Sequence, residues 1–103
     1  MLVYNISARV EDDILEDWLN WMKRIHIPEV MQTGLFSNNK LMILLDDPLG
    51  DEYPGTTFII QYFADNLDAY DEYQQLHAPA LQQKHKERYG DKVLTFRTLM
   101  QDV

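Results

Sequence analysis

Twice along this chain the spacing of apolar residues changes from two to about three and a half and back again, which leaves few folds open. Leu2, Tyr4, Ile6, Ala8 and Val10 alternate with Val3, Asn5, Ser7 and Arg9, the pattern of a strand with two different faces. From Asp12 to about Met31 the period lengthens. Ile14, Trp18, Trp21 and Ile25 fall in a narrow arc at 100° per residue, with Leu15 and Met22 beside them and Asp13, Glu16, Asn20, Lys23 and Arg24 opposite. This is a long amphipathic helix. Pro28 offers no N–H to the carbonyl of Arg24, so a kink or an end is expected there.

Period two then returns. Leu41 to Leu45 and Thr56 to Phe63 read as a second and third strand, joined by the acidic, turn-rich stretch from Asp46 to Gly55. Each of the four glycines, Gly34, Gly50, Gly55 and Gly90, stands where a turn is wanted. A second helix begins near Asp65-Asn66, good N-cap types, and runs to about Tyr89. Tyr70, Tyr73, His77 and Leu81 form its apolar stripe, and Pro79 predicts a kink near its middle. Val93 to Met100 supplies a fourth strand. The order β-α-β-β-α-β describes one ferredoxin-like α+β domain over residues 1–103, with two helices on one face of a four-stranded antiparallel sheet.

The other face of that sheet is the harder problem. If Tyr4, Ile6, Phe58, Ile60, Tyr62, Leu94 and Phe96 point toward the helices, the opposite face carries Val3, Asn5, Ser7, Thr57, Ile59, Gln61, Phe63, Val93, Thr95, Arg97 and Leu99. That is too apolar for water and too polar for a dry core. A second sheet packed on it resolves the conflict, so a two-fold homodimer is expected, with Asn5, Gln61 and Arg97 hydrogen-bonded in or beside the interface. A domain of 103 residues buries only about 60–65% of its unfolded surface, which makes such an association physically attractive.

Charge narrows the partners. With 17 acidic residues against 9 basic ones the net charge is −8, and no basic patch offsets it, so neither nucleic acid nor an anionic membrane surface is an expected partner. No apolar run approaches the roughly 18 residues of a membrane span. The first residues lack the features of a targeting peptide, and there is no cysteine, which together suggest a cytoplasmic protein. Ser7 and Ser37 are the only serines, and neither sits in a nucleophile elbow; no glycine-rich loop precedes a helix. Asp46-Asp47 and Asp51-Glu52 read as solvated loop charges.

Three histidines remain. His26 lies at the edge of the first helix's stripe just before Pro28, placed either to cap free carbonyls or to act as a base in a cleft opened by the kink. His77 falls mid-stripe in the second helix and reads as a satisfied core histidine. It is eight residues from His85, about 12 Å along a helix, too far to share a metal. With no other ligand spacing in the sequence, no metal site is expected.

The segments Val3-Tyr4-Asn5-Ile6, Trp18 to Met22, His26 to Val30, Thr33 to Phe36, Gln61-Tyr62-Phe63, Ala78 to Leu81, His85 and Phe96 to Leu99 together resemble a family of short bacterial proteins known only as a domain of unknown function. Through its element order, the segment from Trp21 to Pro28 with the following Gly34, and its aromatic second helix, the chain is similar in turn to the dimeric α+β barrel superfamily. Antibiotic-biosynthesis monooxygenases, EthD-type proteins, muconolactone isomerases and haem-degrading enzymes belong there. The resemblance implies the fold and the dimer, and no single reaction. Asn5 and His85 stand where haem-degrading members place porphyrin-surrounding residues, but Tyr62 and Phe63 stand where those have tryptophan, and the alternation turns Asn5 away from the helices.

Trp18, Trp21, Tyr70 and Tyr73 are expected in the core, yet helices that present rings to a sheet can leave a ring-lined cleft with a few polar tips. The expected function is therefore binding of a small, partly apolar molecule between helices and sheet, with Asn5, Trp21, Gln61, Tyr62, Tyr70 and Arg97 as binding residues and no cofactor. The alternatives are a cofactor-independent monooxygenase or isomerase with His26 or His85 as base and Tyr62 and Asn5 orienting substrate, a haem protein, and a structural dimer without ligand.

Overall fold

A computed structural model describes residues 1–48, 52 and 54–103. Its strands are β1 (Leu2–Val10), β2 (Asn38–Ile43), β3 (Thr56–Ala64) and β4 (Val93–Gln101), in one sheet of order β2-β3-β1-β4 with every neighbouring pair antiparallel. The expected β-α-β-β-α-β order and the α+β class hold. Tyr4, Ala8, Val10, Phe58, Ile60 and Tyr62 pack beneath the helices with Trp18, Val30, Tyr73 and Leu81 to make the core. None of the described helices is long and apolar enough to cross a membrane.

Both helices depart from the expected outline, each at its proline. The first does not end at Pro28. It runs through a 3-10 turn (Asp12–Ile14), α1 (Leu15–Trp21), a π-helical turn (Met22–His26) and α2 (Ile27–Gln32). The wide turn brings the N–H of Ile27 to the carbonyl of Met22, five residues back, and Pro28 falls in the first turn of α2, where its missing N–H costs least. Widening the turn slips the phase of the stripe. Ile25, expected inside, is 46% exposed, while Met22 and Ile27 are buried and His26 is turned inward to half-burial. With the helix continuing to Gln32, His26 does not stand at a helix end to cap it.

The second helix breaks where a kink was expected. Asn66 caps α3 (Leu67–Leu76) by accepting the N–H of Ala69 at 2.9 Å; His77 leaves helical geometry, and α4 (Ala78–Tyr89) starts with Pro79 in its first turn. His77 is thus a half-buried residue at the break, stacked on Tyr73, and not a mid-helix core histidine. β2 begins three residues before the expected Leu41, because pairing with β3 extends to Asn38 opposite Phe63.

The largest correction concerns β4. Tyr4 pairs with Leu99, Ile6 with Arg97 and Ala8 with Thr95, so Val93, Thr95, Arg97 and Leu99 share the helix-facing side. Leu94 and Phe96 lie on the open face, the reverse of the expected assignment. Both alternating sets of this strand mix apolar and polar residues, so only the pairing register decides between them. The open face then carries Leu94, 49% exposed, Phe96, 57% exposed, and Met42 and Met100, together with the half-buried Val3, Ile59 and Phe63.

On that face Arg9 is 8% exposed; its guanidinium donates to Asp47 at 2.5 Å and to Thr57 at 3.1 Å, and the Thr57 hydroxyl also donates to Asp47. Asp47 is accordingly no solvated loop charge but the anchor that holds the β2–β3 connection to the sheet. Glu52 is exposed, while Asp51 and the expected turn at Gly50 lie outside the described residues.

Candidate functional site

Between the helices and the helix-facing side of the sheet lies a cleft. Its floor is Tyr4, Ile6 and Ala8 of β1, Ile60 and Tyr62 of β3, and Thr95 and Arg97 of β4; its roof is Trp18, Met22 and His26 of the first helix, Tyr73 of α3, and Gln82 and His85 of α4. The cavity measures about 40 Å³, or about 470 Å³ with its open mouth. A water needs roughly 10–15 Å³ by the stricter measure, so the enclosed part has room for a few waters.

Two histidines from different helices meet here. The rings of His26 and His85 are 6.1 Å apart, and Trp21 packs against both, stacked on His26 at 5.1 Å and tilted to His85 at 5.9 Å. Trp18 donates its indole N–H to His85 Nε2 at 3.0 Å, which makes Nε2 an acceptor and leaves the proton of the neutral ring on Nδ1. Burial pushes His26 down to about 4, helped by the nearby His85, Arg97 and Lys84 and opposed by Glu29. Burial, with the charge of Arg97, likewise holds His85 at about 4. Both rings are neutral bases at pH 7.

Tyr62 is 1% exposed, and its buried hydroxyl has no hydrogen-bond partner among the described residues. Burial, reinforced by Tyr73 and Tyr4, drives it far above the usual tyrosine range, so it stays a neutral donor. Burial raises Tyr73 in the same way.

Of the eight expected site residues, His26, His85, Tyr62 and Arg97 converge on the cleft. Trp21 stands behind the histidines as a support, and Tyr70 packs edge-on against Tyr4 at 5.3 Å without lining the cleft. Asn5 and Gln61 lie on the open face, joined by Gln61 Nε2 donating to Asn5 Oδ1 at 3.2 Å. Arg97 is not with them, because the β4 register carries it to the other side. The placement of Asn5 and His85 on opposite sides of the sheet, with His85 Nε2 taken by an indole, does not fit the haem arrangement. Sequence reasoning missed Gln82 and Thr95. Each was within reach of a known candidate: Gln82 is one helical turn before His85, and Thr95 is two strand residues before Arg97. Among the described residues no three metal-ligating side chains come together.

A domain of unknown function, DUF4286, matches residues 1–103. The chain belongs to the DUF4286 family. Its fold is shared with an ethyl tert-butyl ether D (EthD) family protein from Bacillus halodurans C-125, at TM-score 0.71 and 12% identity over 100% of both chains. HapK from Hahella chejuensis gives TM-score 0.71 and 10% identity over 100% of this chain and 93% of that one. An antibiotic biosynthesis monooxygenase gives TM-score 0.61 and 17% identity over 100% and 99%. At these identities the likeness establishes the ferredoxin-like fold of this DUF4286 member. No curated protein matches it in sequence.

Proposed function

We propose that the protein binds a small, partly apolar molecule in the helix–sheet cleft, as a homodimer closed through the open sheet face. The observation that carries the binding reading is the Tyr62 hydroxyl. A buried hydroxyl without a partner costs about 1–3 kcal/mol, and phenylalanine would fill the same space without that cost. A ligand oxygen or nitrogen entering the cleft supplies the missing partner, and the surrounding rings and aliphatic side chains receive its apolar body. Because the enclosed volume is small, the ligand is either slender or seated across the mouth beside β4. The half-covered apolar face of Leu94, Phe96, Met42 and Met100 supports the dimer, since a second copy would remove it from water. The absence of cysteine suits a reducing cytoplasm.

A second reading is supported by the neutral pair His26 and His85. One of them could take a proton from a bound substrate, in the manner of a cofactor-independent oxygenase or isomerase, and the fold shared with a monooxygenase agrees with this. A His26→Ala variant that keeps its fold and its ligand but loses turnover would separate the enzyme from the binding protein.

Native mass spectrometry of protein purified gently from its own cells tests the first reading. The expected result is twice the chain mass plus a defined adduct, with the adduct lost in Thr95→Trp, which places a ring in the cleft. An adduct that survives Thr95→Trp would put the ligand elsewhere and overturn the proposal.

A further inference from the structure

We infer that the cleft selects a ligand bearing an anionic oxygen, a carboxylate in the first instance, on a planar apolar body, and that Arg97 reads that charge. The inference rests on the binding role of the cleft proposed above and adds the chemical class of its ligand. The chain has 17 acidic residues, yet among the described residues no aspartate or glutamate lines the cleft and one arginine does. Three other cations on or beside α4 are already matched, Lys84 to Glu29 at 2.8 Å, Arg88 to Asp17 at 3.3 Å, and Lys92 to Asp13, while Lys23, Arg24 and Lys86 are exposed and do not line the cleft. Arg97 makes no salt bridge among the described residues. Its one hydrogen bond goes to the Thr95 hydroxyl at 3.3 Å, which leaves most of its five N–H donors for a ligand.

The neutral polar groups have the same bias. Tyr62 offers at the floor a hydroxyl that has no partner among the described residues. His85 accepts from Trp18 through Nε2 and so holds a donor at Nδ1. Gln82 and Thr95 add an amide and a hydroxyl on the α4 and β4 sides. A site with surplus donors and a positive charge is complemented by an acceptor with a negative charge, and the flat guanidinium is suited to a carboxylate through two parallel bonds. Ile6, Ala8, Met22 and Ile60, with the faces of Tyr4 and Trp18, supply the apolar remainder. The overall charge of −8 repels anions at long range, so any preference for them must be local to this cleft.

Matched probes that differ only in charge provide the test: benzoate against benzamide, and indole-3-acetate against indole-3-acetamide, titrated into the whole protein and followed by NMR at the Trp18 indole N–H and the cleft histidines. The expected result is that a carboxylate shifts these resonances and binds roughly tenfold tighter than its amide, the effect of one charge-assisted hydrogen bond. Arg97→Met should abolish the preference, and Lys23→Met, which removes an exposed cation outside this cleft, should retain it. Arg97 is exposed, so its variant should fold; should it fail to, Arg97→Gln replaces it, and the wild-type comparison decides on its own. Equal binding of acid and amide at the cleft overturns this inference and leaves the binding role standing. No shift at the cleft from any probe overturns both.

Discussion

The single contact between Trp18 and His85 fixes more than a hydrogen bond. With its indole N–H given to Nε2, the imidazole is held as one tautomer, and protonation would remove the acceptor that the indole uses. Both cleft histidines sit at about 4, below the ordinary value of 6.5, chiefly because of burial. Between pH 6.5 and 4 the unfolded chain therefore binds protons that the native chain does not, so stability is fully present above pH 6.5 and declines as pH falls. Urea midpoints at pH 7, 5.5 and 4.5 should show that decline, on the order of 3 kcal/mol across the pair. His26→Phe with His85→Phe should flatten it, and an equally steep decline in the double variant would place its origin elsewhere. The aspartates held low, Asp13 beside Lys92 and Asp102 beside the N-terminal ammonium, act only below about 3.8 and leave the window clear. Tyr62→Phe makes the opposite kind of prediction. Loss of a buried hydroxyl that has no partner among the described residues should raise stability by about 1–3 kcal/mol, while ligand affinity falls; a clear loss of stability would show that the hydroxyl already has a partner.

At the scale of elements, the helix ends were legible in the residues and the helix interiors were not. Asn66 reads as an N-cap from its type alone, and it accepts the N–H of Ala69. Asn66→Ala should cost about 1 kcal/mol in thermal or urea unfolding. Pro28 and Pro79 mark irregularities correctly, but a missing N–H can be accommodated by a wider turn, a bend or a break, and the local sequence does not choose among them. Packing chose a π turn for the first helix, and that turn carries His26 inward. At the entry to β3, Gly55 has a φ of +115°, and a Cβ there would collide with the carbonyl oxygen of Val10, so the connection into β3 can pass β1 only without a side chain. Gly55→Ala should destabilise by about 2 kcal/mol or more, read as a lowered melting temperature; a change within about 0.5 kcal/mol would show that the strand end moves freely.

For the whole molecule, the open sheet face carries the prediction. Phe96 is more than half exposed on it, and Leu94, Met42 and Met100 share the surface. Light scattering should return twice the 12.2 kDa chain mass, and Phe96→Glu should return a single chain mass with the far-ultraviolet spectrum kept. A wild-type monomer at micromolar concentration would remove the dimer. Local periodicity was enough to determine the element order, the α+β class and most of the core, because burial on one face writes itself into spacing along the chain. The tertiary structure alone decided which face of β4 turns to the helices, because that depends on a pairing register with β1 that alternation by itself leaves two-valued. That choice takes Arg97 away from Asn5 and Gln61 and brings it to His26, His85 and Tyr62, and with it the candidate site acquires its charge.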